Sequence, residues 1–127
     1  MKRNVLAVAA LLGTVVLVAC QPAAPPPPPA PSGSSDLHAI ISEVFVPYCA
    51  GVVAIADCIA GRESGWNPNA TNGQYRGLFQ LGANYNATIA FYGGNVFDPR
   101  TNAQVARDSY VQRGNFSAFS PAGSCGG

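Results

Sequence analysis

Apolar positions recur through the middle of the chain with a helical period, and their spacing lays out most of the elements. Asp36 is a natural N-cap, and Leu37, Ile40, Ile41, Val44 and Phe45 follow at i, i+3, i+4, i+7 and i+8 until Pro47 stops the run. A second stripe, over residues 50 to 64, puts Val52, Ile55, Ala56, Ile59 and Ala60 on one face. Glu63 lies four residues after Ile59 and continues that face. Gly65 then offers a left-handed helix stop and Asn67-Pro68 a turn. Farther on, Asp98 reads as a helix cap, Ala103, Ala106 and Tyr110 share an apolar face, and Gly114 can end that helix. The pattern predicts a small, mostly α domain.

The N-terminal third follows different rules. Lys2 and Arg3 precede an uncharged apolar run from Val5 to Ala19 that closes in Leu17-Val18-Ala19-Cys20, the order expected of a bacterial lipoprotein signal. About fifteen residues is short of the roughly twenty that span a bilayer. Residues 1 to 19 are therefore expected to be cleaved, leaving Cys20 as a lipidated first residue and a membrane anchor. Residues 21 to 35 carry seven of the eleven prolines and the run Ser32-Gly33-Ser34-Ser35. Such a composition buries no core and favours an extended polyproline stalk. Residues 36 to 127 then form one small domain tethered to a membrane facing the cell wall or periplasm.

Charge and cysteine content narrow the classes further. Beyond the signal the chain has five Arg against six Asp or Glu, a formal charge of −1. A nucleic-acid surface needs a basic footprint, so that partner is excluded. No metal-ligand spacing is present, no cofactor is expected, and the domain is expected to be a monomer. Cys49, Cys58 and Cys125 suit an exported domain stapled by one disulfide, in which Cys125 bridges to Cys49 or Cys58 and one thiol is left over. The single histidine, His38, and Asp108 read as solvated helix residues.

The chemistry concentrates at Glu63. A carboxyl that continues an apolar stripe is desolvated, which raises its pKa and lets it hold a proton near neutral pH as a general acid must. The surrounding residues Ile59-Ala60-Gly61-Arg62-Glu63-Ser64-Gly65-Trp66-Asn67-Pro68-Asn69-Ala70, followed by Gly77-Leu78-Phe79-Gln80-Leu81, resemble the two core motifs of lysozyme-like lytic transglycosylases. Asp98-Pro99-Arg100-Thr101-Asn102 looks like a third element, and Gly114-Asn115-Phe116-Ser117-Ala118-Phe119 resembles the Gly-Trp-x-x-Trp ending of short actinobacterial and phage relatives with Phe for Trp. The Tyr-Asn-Ala-Gly segment of many relatives is missing.

That resemblance implies a mostly α, α+β lysozyme-like fold with a substrate cleft, and cleavage of peptidoglycan glycan strands. Glu63 carries over as the catalytic acid and base, Ser64 as its supporting hydrogen-bond partner, and Gln80 and Asn102 as substrate-binding residues. Among the aromatics, Tyr75 is the best candidate for stacking on a sugar because it lies in the polar stretch Asn72-Gly73-Gln74. Asp57 lies six residues before Glu63, about 240° round a helix and on its far side. A single site-like carboxylate suits a transglycosylase, which leaves a 1,6-anhydro sugar, rather than a hydrolytic lysozyme with two. The competing expectations are a non-catalytic peptidoglycan-binding lipoprotein and a protein-inhibiting one.

Overall fold

Helix α1 (Leu37–Phe45) buries Ile40, Ile41, Val44 and Phe45, the face its spacing predicts. The computed structural model describes residues 37 to 127, so the signal-like segment, Cys20, the proline-rich stretch and the cap expected at Asp36 lie outside the described residues. Helix α2 (Ala50–Ser64) buries Val52, Ala56, Ile59 and Ala60. The short strands β1 (Thr71–Asn72) and β2 (Tyr75–Arg76) pair antiparallel, with Thr71 opposite Arg76 and Asn72 opposite Tyr75. Gly73, at φ 59°, supplies the left-handed residue of the tight turn between them.

A 3₁₀ turn (Ala83–Tyr85) leads into α3 (Asn86–Phe91), which buries only Ile89. Helix α4 (Pro99–Arg113) starts as its sequence predicts: Asp98 Oδ1 accepts from the Thr101 amide at 2.7 Å, and Pro99 occupies the first turn, where no amide is needed. Gly114 ends it at φ 72°. The result is a mostly helical domain with one small two-stranded sheet.

Helix α1 packs on both α2 and α4, and α3 packs on α4. An aromatic cluster fills the space between them. Phe45 lies 6.0 Å from Phe79 and 5.8 Å from Phe116, ring centre to ring centre, and Phe116 lies 4.6 Å from Tyr110. Phe45, Phe79 and Phe116 are the largest fully enclosed side chains, each adding ~1.5–3 kcal/mol by burial. Phe116 and Phe119 of the tail thus belong to the core. An ion pair between Arg100 and Glu43 ties the start of α4 to α1.

The tail after Phe119 has little apolar surface and returns to α2 through a 3₁₀ turn (Ala122–Cys125). A Cys58–Cys125 disulfide fastens it there, which selects Cys58 from the two partners the sequence left open. Cys49 is disulfide-bonded as well, so the leftover thiol expected from an odd count is not found among the described residues. No helix among the described residues is long and apolar enough to cross a membrane.

The Cys58–Cys125 bond spans 67 residues, and closing such a loop in the unfolded chain is worth about 4 kcal/mol in the chain-entropy account. A Cys58→Ser, Cys125→Ser chain should lose a large part of that in denaturant unfolding. Unchanged stability would mean that the aromatic residues of the tail hold it without the cross-link.

Candidate active site

The site begins where α2 stops. Gly65 takes φ 62° and its amide donates to the Gly61 carbonyl at 2.8 Å, closing the helix directly after Ser64. Trp66 follows at φ 54°, a left-handed conformation that a bulky residue rarely adopts. Its indole folds back over Gly61, where an added Cβ would lie 2.6 Å from the ring. The indole Nε1 donates to Asp57 Oδ1 at 3.3 Å, and the same oxygen is 2.7 Å from His38 Nδ1. Gly61 is two residues before Glu63, about 200° round the helix, so the indole lies on the side away from the acid. His38 is exposed, as expected, but it is bonded rather than merely solvated.

The second motif forms a four-residue plug closed by an antiparallel bridge between Arg76 and Leu81. Leu78 and Phe79 point into the core, and both are fully buried. Gln80, at φ 50°, is the second left-handed residue that is not glycine. Its Nε2 donates to the Gly77 carbonyl at 2.8 Å and the Ala70 carbonyl at 3.2 Å. The amide nitrogen therefore shapes the loop, while Oε1 keeps no partner among the described residues and is the part of Gln80 a ligand could meet. Both strained residues flank Glu63 in sequence or across the staple described next, the clustering that functional sites show.

Ser64 joins the two motifs. Its hydroxyl reaches the Ala60 carbonyl at 3.0 Å and the Leu78 carbonyl at 2.8 Å, and it accepts from the Asn67 amide at 3.2 Å. Its partners are backbone groups on either side of the site, not the Glu63 carboxyl. Its role as the acid's supporting partner is corrected accordingly: Ser64 positions the helix end against the plug.

Asn102 also differs from expectation. It is fully buried, its Oδ1 accepting from the Phe79 amide at 2.7 Å and its Nδ2 donating to the Val96 carbonyl at 2.8 Å and the Arg76 carbonyl at 3.3 Å. With each polar atom occupied and no exposed surface, it cannot touch a substrate. It holds the plug on α4. Gly77 makes that possible, since a Cβ there would sit 2.2 Å from Asn102 Nδ2.

Glu63 stands apart from the other described carboxylates. Glu43 pairs with Arg100, Asp57 with His38 and Trp66, and Asp98 caps α4. Asp108, expected to be solvated, instead accepts from Arg107 Nε at 3.1 Å and Nη2 at 2.8 Å through Oδ1 and from the Tyr92 hydroxyl at 2.7 Å through Oδ2. The Tyr92 hydroxyl is pushed up to about 12, first by burial and then by its bond to Asp108, so it remains a donor. Glu63 has no hydrogen bond or ion pair among the described residues, is half-buried, and has its pKa raised by desolvation. This is the environment in which a carboxyl keeps a proton and can give it up to a bound group.

Tyr75 is 46% exposed on β2, as its polar surroundings predict, and is free to stack. Phe91, 81% exposed at the end of α3, is an exposed aromatic that the spacing did not single out. No group of three or more His, Cys, Asp or Glu among the described residues is placed to hold a metal.

No family model matches this chain, and neither the curated proteins nor the solved structures contain a significant match. The fold and site therefore rest on the residues themselves.

The raised pKa of Glu63 has a consequence for stability. Because the folded state disfavours the ionised form, the penalty is absent below the ordinary Glu value of about 4.3 and grows as pH rises through the folded pKa. Glu63→Gln should therefore melt at a higher temperature than the parent near neutral pH, with the two converging in acid. A variant less stable at neutral pH and equal in acid would mean that a partner stabilises the carboxylate.

Proposed function

We propose that residues 36 to 127 form a peptidoglycan-cleaving lytic transglycosylase domain, with Glu63 as acid and then base. The observation that carries the reading is the half-buried Glu63 carboxyl, without a partner while every other described carboxylate is engaged. Hydrolytic glycosidases use two carboxyl groups about 5 to 9.5 Å apart. A single poised acid favours a route that needs no second one.

In that route the Glu63 proton passes to the oxygen linking C1 of N-acetylmuramic acid to the next sugar. The C1–O bond breaks, its electron pair staying with the departing oxygen, which leaves as a hydroxyl. The Glu63 carboxylate then takes the proton of the muramic acid C6 hydroxyl as that oxygen bonds to C1. The carboxyl regains its proton and no water is consumed. Gln80 Oε1 and the Tyr75 ring are the groups proposed to contact the strand, and Ser64 and Asn102 hold the two motifs that carry them.

Glu63→Gln should lower release of muropeptides at least ~10²-fold, because the amide keeps the size of the carboxyl and delivers no proton. Parent products should carry anhydro-muramic ends, one water lighter than reducing ends. Equal release by variant and parent would remove Glu63 from the reaction, and reducing ends alone would make the enzyme a lysozyme. Parent activity should fall as pH rises through the raised Glu63 pKa, because the ionised acid cannot protonate the leaving oxygen.

The anchor proposed at Cys20 has a distinct chemical test. Mass spectrometry of the mature N-terminal peptide should show an acylated Cys20, and Cys20→Ala should leave the membrane fraction. A mature N-terminal peptide that carries no acyl chain at Cys20 would overturn the anchor.

A further inference from the structure

A cavity of about 160 Å³ opens between α3, α4 and the 3₁₀ turn that precedes α3. It is far larger than the ~30 Å³ share of one water and well below the roughly 300 Å³ at which pockets for whole small molecules begin. It takes one small group of a larger ligand. Its wall is mostly polar, with Asn84 and Thr88 on one side and Asp108, Ser109, Gln112 and Arg113 from α4 on the other, and it is completed by Tyr85 and Val105.

The hydrogen bonds decide which charge the cavity favours. Asp108 is matched by the adjoining Arg107 guanidinium and by the Tyr92 hydroxyl, so its charge is already answered. The Ser109 hydroxyl is 2.9 Å from the Tyr85 hydroxyl and is held in place by it. The Arg113 side chain, exposed at the end of α4, by contrast has no ion pair or hydrogen bond among the described residues, and neither does that of Gln112. What remains available is a guanidinium with amide and hydroxyl donors beside it, a set that suits a carboxylate.

The cavity also adjoins the proposed cleft. A Cβ on Gly82 would lie 3.0 Å from Asn84 Oδ1 and 3.4 Å from the Tyr75 ring, so only a bare glycine separates the stacking ring from the cavity wall. We infer that this cavity is a subsite for the carboxylate of a short peptide carried by the glycan strand, with Arg113 as its anchoring charge. This rests on the peptidoglycan reading, since a strand lying over Tyr75 would bring its peptide branch to Asn84 and Arg113. The subsite would select strands that still carry their peptides.

Calorimetric titration of the full chain in detergent with N-acetyl-D-alanyl-D-alanine, with its C-terminal amide and with inorganic phosphate tests this directly. The free acid should bind, with the amide and Arg113→Gln each about tenfold weaker, the loss expected for one charge-assisted contact. Arg62→Gln, which removes an equal charge from the exposed end of α2, should bind as the parent does. Absence of binding, equal binding of acid and amide, equal binding of phosphate, or an Arg113→Gln chain that binds like the parent would each overturn the subsite. These ligands contain no glycosidic bond, so the result is independent of whether Glu63 cleaves anything. Should the digestion test fail while this binding holds, the domain recognises the peptide without cutting the strand.

Discussion

The Asn102 side chain is fully enclosed, and its two polar atoms meet the backbone at Arg76, Phe79 and Val96. Those bonds fix where the plug of residues 77 to 80 sits on α4, and much else depends on that position. From the plug, the Leu78 carbonyl accepts the Ser64 hydroxyl, which sets the end of α2. Glu63 is the residue just before. Two hydrogen bonds, Phe79 amide to Asn102 and Ser64 hydroxyl to the Leu78 carbonyl, thus link a buried amide on α4 to the residue beside the candidate acid on α2. Losing the first would also leave polar groups unsatisfied in the interior, at ~1–3 kcal/mol each. Gly77 is part of the same device, because a Cβ at its φ of 79° would overlap both the amide and the Val96 carbonyl.

The apolar side of the domain supports this polar spine from behind. Phe79 of the plug touches Phe45 of α1 and Phe119 of the tail, so the residue whose amide Asn102 holds is itself anchored in the aromatic cluster. The tail reaches α2 again at Cys58, one turn and a half before Glu63. The helix that carries the acid is therefore gripped along its length, by packing at Ala56 and Ile59, by a covalent bond at Cys58 and by a hydrogen bond at Ser64. Such redundancy is what a fixed catalytic geometry requires.

Helices α1 and α2 were legible in the sequence because each buries a periodic stripe, and α4 because Asp98 and Pro99 mark its start; the stops at Gly65 and Gly114 were legible because a left-handed residue is needed there. The stub α3 left no such trace, having Ile89 as its one buried residue. Strands β1 and β2 are two residues each, too short to show alternation. At the site, Glu63 could be found because it prolongs the Ile59 face. The work of Ser64 and Asn102 could not, because their partners lie 14 and 23 residues away and are backbone atoms, which carry no side-chain signature. The same distance effect hid the Tyr92 bond that takes Asp108 out of solvent.

An unpartnered, desolvated carboxyl weakens a fold, and so do bulky residues held at positive φ. Here the three occur together, at Glu63, Trp66 and Gln80, while the rest of the described chain satisfies its buried polar side chains without exception. Random imperfection would scatter such costs along the chain. Their concentration at the meeting of two rigidly held segments sets this region apart as the candidate site, with strain at each left-handed residue of order 1–3 kcal/mol. Trp66 contributes although it faces away from the acid. With its indole clamped over Gly61 and bonded to Asp57, it stabilises the left-handed turn that ends α2 directly after Glu63 and Ser64, so the strain is offset on the far side of the helix and the face carrying the acid is left clear.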